Sequence, residues 1–276
     1  MTRTTFLNNV LRYLLLTLGA IVLMMPFLYM LSTSFKPHAY VLELPPRFIP
    51  EDATIDNYVR ALVSNNFGVY FRNSLVVATA ATSITMLLSS AMAFGFARYP
   101  FPGRSALFYM LMGTMMIPGI VLIIPQFVLA RDLRLLNSLW GLIVVYSAGS
   151  AFNMFLLRNY IEQIPEAIFE SATIDGAGAW TAFWRIALPL ARPALAAVAI
   201  FAFLGSWDEF IWALTSITDP KLYTLPIGLR LFQQQRGTEW GLVFAASVIS
   251  VLPVIVVYLI FQRQIISGVS AGAVKE

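Results

Sequence analysis

Residues Ser74–Ala97 read SLVVATAATSITMLLSSAMAFGFA, 24 residues without a charge between Arg72 and Arg98. A helix of that length, rising 1.5 Å per residue, covers the roughly 30 Å of a bilayer's hydrocarbon. Hydrocarbon offers the backbone no hydrogen-bond partner, so a crossing segment of this kind must be helical. Working outward, five more apolar stretches have spanning length: Leu11–Leu31, Ser105–Leu129, Ser138–Leu157, Ala194–Thr215 and Gly241–Phe261. The 276 residues are 59% hydrophobic and 12% charged, whereas a soluble domain carries about 25% charged residues. A soluble enzyme or a nucleic-acid binder is excluded on that ground. The net charge of +4 reads as basic loops flanking a membrane. The expectation is an all-α, polytopic membrane protein with six transmembrane helices.

The first stretch follows Arg3 and Arg12 and invites a signal-peptide reading. It is longer than the roughly 7–15 apolar residues of a signal, and Ser32-Thr33-Ser34-Phe35 offers no small-x-small cleavage site, so it is expected to stay as a helix. With six spans, both termini lie on one side. Placing them in the cytosol puts nine basic residues inside and nine outside, so charge counting leaves the orientation open. The chain has no cysteine and one histidine, His38. It has no phosphate-binding glycine loop and no zinc-binding H-E-x-x-H helix, and no catalytic cluster. No metal site is expected, and the energy for any work must come from a partner or an ion gradient. Pro26, Pro118, Pro125 and Pro253 fall in or beside the apolar stretches and can kink them.

Between the fourth and fifth stretches lies the segment 161–193. Pro165 suits a helix start and Gly176 a helix end, giving a helix of about Glu166–Asp175. Glu166 and Glu170 stand one turn apart, a like-charge pair that opposes an isolated helix. So short a helix in a loop is marginal unless something packs on it. Two readings follow: a solvated connection, or a docking helix whose carboxylates expect basic residues on a soluble partner. Trp180, Phe183 and Trp184 then fall at i, i+3 and i+4, which fits either headgroup-level aromatics or core packing.

Glu170-Ser171-Ala172, Asp175-Gly176-Ala177, Phe183, Ile186, Leu188-Pro189 and Pro193 together resemble the signature cytoplasmic loop of bacterial ABC importer permeases. Ser171 departs from the usual Glu-Ala-Ala core, but serine is small enough for the same close packing. Ser34-Phe35-Lys36, Arg72-Asn73-Ser74, Ala97-Arg98, Phe101-Pro102-Gly103-Arg104, Leu135-Leu136-Asn137-Ser138, Trp207-Asp208-Glu209-Phe210 and the tail Ser267–Lys275 extend the resemblance in order along nearly the whole chain. They narrow it to binding-protein-dependent carbohydrate permeases of the maltose type, and within them to the smaller permease subunit.

The resemblance implies one permease domain over 1–276, with an outer loop at 36–72, a cytoplasmic coupling loop at 161–193 and a cytoplasmic tail at 262–276. It implies a bacterial cytoplasmic membrane location with both termini cytosolic. Its partners would be a second permease, two ATPase subunits that carry ATP and magnesium, an extracytoplasmic solute-binding protein and membrane lipid, with no nucleic acid. The chain itself would bind no cofactor and catalyse nothing. Glu170, Ser171, Ala172, Asp175, Gly176, Ala177, Leu188 and Pro189 would couple to the ATPase, and Gly268, Gly272 and Lys275 would reach it from the tail. Trp207, Asp208 and Glu209 are candidates for the substrate pathway, since carboxylates within a membrane span are costly and usually functional; packing at the outer interface is the competing reading. Tyr223, Gln233 and Gln234 are candidates for the binding-protein contact. A secondary transporter using Asp208 and Glu209 as an ion site is the alternative from another class, and a glycerol-phosphate-type substrate the alternative within this one.

Overall fold

The computed structural model describes residues 3–37, 47–63, 66–234 and 239–273, and among these the regular structure is helical, with no strand. In chain order the α-helices are α1 (Arg3–Ser34), α2 (Asp56–Val63), α3 (Phe67–Arg98), α4 (Arg104–Thr114), α5 (Ile123–Asp132), α6 (Leu139–Ala148) and α7 (Ala151–Glu162). There follow α8 (Glu166–Ile174), α9 (Ala179–Ala182), α10 (Leu188–Leu190), α11 (Arg192–Trp207), α12 (Ile211–Ser216), α13 (Leu225–Gln234) and α14 (Trp240–Ala273). Three segments are long and apolar enough to cross a membrane unbroken: Asn8–Ser34, Phe67–Arg98 and Trp240–Gln262. Three more pass the same test as bent pairs: α4 with the segment Gly119–Asp132 at 94°, α6 with α7 at 47°, and the segment Ala179–Leu190 with α11 at 81°. The chain is thus a polytopic helical membrane protein.

Each bend has a local cause. Between α4 and α5, Pro118 lacks a backbone donor and is held extended at φ −59°, ψ 130°, so the helix cannot run through it. Pro125 lies in the first turn of α5, where its missing N–H would be unpaired in any case. The bend between α6 and α7 falls at Gly149-Ser150 with no proline. There Ser147 Oγ donates to Ile143 O and Ser150 Oγ donates to Ser147 O, both at 2.6 Å, a back-bonding that bends helices. The third bend falls at Ala191, at φ −84° and ψ 9°, where Pro193 in the first turn of α11 offers no backbone donor; the preceding Phe183–Ala187 form a wide π-helical turn. The fifth stretch does not continue to Thr215 as expected: α11 stops at Trp207 and α12 starts at Ile211. At the other boundaries, α3 begins at Phe67, inside the expected outer loop, and α14 runs to Ala273, through most of the expected tail.

The chain divides into two compact units, Met1–Phe67 with Gly228–Leu252, and Gly68–Ile227 with Pro253–Glu276. In the first, side chains 10–28 of α1 are exposed throughout, an apolar surface suited to lipid or to another subunit. The end of α1 is tied to α2: buried Asn57 donates to Ser34 O at 2.9 Å and Lys36 O at 2.8 Å, and Ser34 Oγ meets Tyr58 Oη at 2.6 Å. Arg60 pairs with Glu239 at 2.6 Å, closing α2 against the start of α14.

In the second unit one core gathers Phe94, Met154, Leu157, Ile161, Phe183 and Val198. Another gathers Val77, Leu142, Ile143, Trp212 and Ile227. The Leu135–Ser138 motif is the corner that fixes the second. Asn137, at φ 53°, accepts through Oδ1 from Thr218 N at 3.0 Å and Asp219 N at 2.8 Å. Ser138 caps α6 by accepting from Gly141 N at 3.0 Å. A Cβ on Gly141 would sit 1.9 Å from Leu135 O, so only glycine fits this approach. Arg72-Asn73-Ser74 is a second staple. Asn73 Nδ2 donates to Lys221 O at 2.9 Å and Tyr223 O at 3.0 Å, and Ser74 Oγ accepts from Leu225 N at 2.8 Å.

Candidate functional site

The short helix α8 carries the residues that the loop motif singles out. Pro165 precedes its first residue with ψ 135°, which sets α8 off from α7. At the other end Gly176 takes φ +84°; its N–H donates to Thr173 O at 3.0 Å, and Ala177 N donates to Ala172 O at 2.8 Å. These two bonds form the Schellman closure that glycine at this position permits. No residue of α8 is buried. Phe169 and Ala172 are half-covered, while Glu166, Glu170, Ser171 and Asp175 are exposed and Ile174 is 86% exposed. Glu170 forms no ion pair among the described residues.

What holds α8 to the body is Arg98, at the end of α3. Its Nη2 donates to Ile161 O at 2.6 Å and also to Ile164 O, satisfying carbonyls at the C-terminal end of α7. The guanidinium carbon lies 4.1 Å from the centre of the Phe169 ring, within cation–π reach. Phe169 also meets Phe94 at 6.2 Å between centroids. One side chain therefore joins α3, α7 and α8. The sequence singles out Ala97-Arg98 but gives it no partner, because neither carbonyl nor ring is near it in sequence. Glu162, the last residue of α7, pairs with Arg158 at 2.5 Å and Arg104 at 3.6 Å.

The aromatic stripe after Gly178 divides between its two readings. Phe183 is 2% exposed and belongs to the core, whereas Trp180 is 70% and Trp184 44% exposed. Leu188 and Pro189 are half-buried, and Leu188 packs on the same core.

Trp207, Asp208 and Glu209 separate. Trp207 is 2% exposed, stacked on Phe203 at 5.5 Å and edge-on to Phe71 at 5.7 Å. Asp208 is exposed and follows the last residue of α11 as its C-cap, its N–H donating to Leu204 O. Glu209 starts α12: Oε1 accepts from Trp212 N at 2.8 Å, and Oε2 accepts from Ala213 N at 3.1 Å and from Tyr146 Oη at 2.8 Å. Its charge meets two unpaired helix N–H groups, as at a helix start elsewhere. The adjacent carboxylates thus have unlike surroundings. Glu209→Gln leaves one oxygen and faces an NH₂ toward a donor, which is expected to cost about 1–3 kcal/mol, read as a lower Tm of the purified complex. Asp208→Asn is expected to leave Tm unchanged. Unchanged Tm with lost uptake for Glu209→Gln would instead put Glu209 on the transport pathway.

Of the remaining candidates, Tyr223 is half-buried against Tyr70 at 6.0 Å. Gln233 and Gln234 end α13, and their side chains lie outside the described residues, as do His38 and Lys275. Gly268 and Gly272 lie within α14. Among the described residues no group of three or more His, Cys, Asp or Glu is placed to hold a metal.

Helical segments of spanning length, three of them bent pairs, together with a short helix that exposes its carboxylates, are the features of a multi-pass membrane protein. The chain belongs to the family of binding-protein-dependent transport system inner membrane components, whose model matches residues 85–270. It is a permease subunit of an ABC importer, as the loop motif implied. It is 38% identical to the diacetylchitobiose uptake system permease protein NgcG of Streptomyces coelicolor, over 95% of this chain and 87% of that one. It is 35% identical to the trehalose/maltose transport system permease protein MalG of Thermococcus litoralis, over 97% and 99%. Among solved structures, a chain of a bacterial ABC transporter involved in the import of the acidic polysaccharide alginate superposes with a TM-score of 0.83 at 25% identity, covering 95% of this chain and 98% of that one.

Proposed function

We propose that this chain is the smaller of two permeases in an ATP-driven carbohydrate importer, crossing the membrane six times with both termini in the cytosol. Each bent pair counts as one span in this reading. The observation that carries it is α8: nine residues, none buried, attached through Phe169 to Arg98 and Phe94, with its carboxylates open to a partner. In this reading Glu170, Ser171, Ala172, Asp175, Gly176 and Ala177 seat α8 in an ATPase subunit, with Leu188 and Pro189 setting the return to α11. Gly268 and Gly272 near the end of α14, and Lys275 later in the sequence, reach the ATPase pair, which binds ATP and magnesium. A second permease completes the pathway. A solute-binding protein delivers substrate to the outer side, with Tyr223, whose carbonyl is held by Asn73, and Gln233 and Gln234 as the candidate contacts.

The substrate class rests on relatives: the trehalose/maltose permease and the diacetylchitobiose permease are both named for neutral oligosaccharides. The secondary-transporter alternative gains no support from Glu209, whose carboxylate oxygens are spent on two N–H groups and a hydroxyl.

The test is reconstitution in proteoliposomes. ATP hydrolysis and sugar uptake are expected only when the chain is combined with a second permease, ATPase subunits and a sugar-loaded binding protein. Uptake by the chain alone on a proton gradient would overturn the proposal.

A further inference from the structure

Unit two contains an open cleft of about 210 Å³ where α3, α6, α7 and α11 face one another across the Gly149-Ser150 break. That is less than the roughly 300–1,000 Å³ of a site enclosing a whole drug-sized ligand, so the cleft would hold one part of a ligand and leave the rest outside it. Its polar lining comes from Thr85, Tyr146, Asn153 and Ser206, all within spanning segments. Asn153 is 8% exposed, and its Oδ1 has no hydrogen-bond partner. On α3, Thr82 Oγ1 and Ser89 Oγ, about one turn to either side of Thr85, are buried and unpartnered as well. A buried amide or hydroxyl without a partner is costly, and inside a membrane span such groups mark a pathway or a ligand site.

The chemistry of the lining is selective. No ionised side chain lines the cleft, and Tyr146 already donates its hydroxyl to Glu209. Ser206 Oγ donates to Ala202 O at 2.8 Å, which leaves its lone pairs to accept. Gly149 and Gly205 open the backbone to close approach. Phe201, 51% exposed, presents an aromatic surface at the rim. Hydroxyls and an amide beside an aromatic ring suit a molecule with many hydroxyls and an apolar ring face. A carboxylate or ammonium entering this cleft would find no counter-charge.

We propose that this cleft is an intramembrane binding site for an uncharged sugar, with Asn153, Thr85 and Ser206 bonding its hydroxyls. The proposal rests on the reading of the chain as a carbohydrate importer permease, and it places substrate one turn before Trp207, not on the Asp208-Glu209 pair. The chain has no cysteine, so Ala202→Cys introduces a single reactive thiol in the cleft wall and leaves the three proposed binding side chains in place.

In the full complex, with cysteine-free partners and a binding protein, alkylation of that thiol by a small water-soluble maleimide is followed with maltose, trehalose or diacetylchitobiose, and with alginate oligosaccharide as the charged comparison. The expected result is that a transported neutral sugar slows alkylation at least about fivefold while alginate does not. Asn153→Leu, and the nearly isosteric Thr85→Val, should each lower sugar moved per ATP by about tenfold, the cost of leaving sugar hydroxyls unpaired. Equal alkylation with and without a transported neutral sugar, together with wild-type transport by Thr85→Val, would overturn the cleft and leave the importer reading standing. Protection by alginate equal to that by the neutral sugars would overturn the assignment to uncharged ligands. A wild-type complex whose ATP hydrolysis drives uptake of no sugar would overturn the importer reading and the cleft with it.

Discussion

Glu170→Ala is expected to release the ATPase from the permease pair, or to uncouple it, and so to abolish uptake. The carboxylate is exposed on a helix without a buried residue, so its effect cannot come from this chain's own stability. At an interface, an arginine facing it would form charge-assisted, bidentate hydrogen bonds. Removing one partner of such a pair costs about 2–5 kcal/mol, largely by stranding the other charge. Gly176→Val should fail in the same assay for a different reason. At φ +84° a β-branched residue is strained by about 1–3 kcal/mol, and the closing bonds from Gly176 N and Ala177 N would open. Gly176→Asn should retain part of the function, since asparagine tolerates that region better. The measurement is ATPase pull-down and uptake at matched membrane expression. Exposed Gln163 is the better control position, because Glu162 is engaged by Arg104 and Arg158. Pull-down and uptake equal to wild type for Glu170→Ala would remove α8 from the coupling path.

Arg98→Ala is expected to break the link between α8 and the membrane helices while leaving the docking face of α8 intact. The substitution takes a charged donor from the Ile164 carbonyl and from the Ile161 carbonyl, which keeps its bond from Ile164 N, and removes the cation over Phe169. Hydrogen bonds from a charged donor contribute about 1.5–3 kcal/mol each, and the cation–π contact adds about 0.5–2 kcal/mol. The complex should still bind its ATPase and hydrolyse ATP, but with sugar moved per ATP reduced by about tenfold or more. Arg98→Lys keeps the charge but loses the planar fork that reaches two carbonyls and a ring together, so it should be intermediate. Phe169→Leu removes the ring alone and should be milder than Arg98→Ala. Arg98→Ala with wild-type coupling would show that α8 transmits through another contact.

The helical class, the membrane setting and the position of the short helix α8 were legible in the sequence because each rests on local chemistry. Long uncharged runs have only one low-cost backbone conformation in hydrocarbon, so Leu11–Leu31, Ser74–Ala97 and Gly241–Phe261 sit inside α1, α3 and α14. Pro165 and Gly176 punctuate α8 through their own backbone preferences, and Pro118 breaks the third stretch for the same kind of reason. These signals need no distant partner.

The rest depends on groups far apart in the chain. Asp208 and Glu209 look alike as neighbours, yet one is exposed and the other starts α12, because only the fold brings Tyr146 to Glu209. The equal case for Trp180 and Phe183 as headgroup or core residues was settled by packing: Phe183 meets Phe94 at 5.5 Å, and Trp180 has no such cover. Arg98, isolated at the end of its span in the sequence, becomes the clasp of α8 only when the end of α7 and Phe169 arrive beside it. Asn153 reads as one polar residue in an apolar run, and becomes notable once its oxygen is seen buried without a partner. Sequence determined where the backbone must be helical and where it must turn, since those choices follow from adjacent residues. Tertiary structure decided which polar side chains are spent on structure and which are left free for a ligand or a partner, because satisfaction of a hydrogen bond depends on both of its ends.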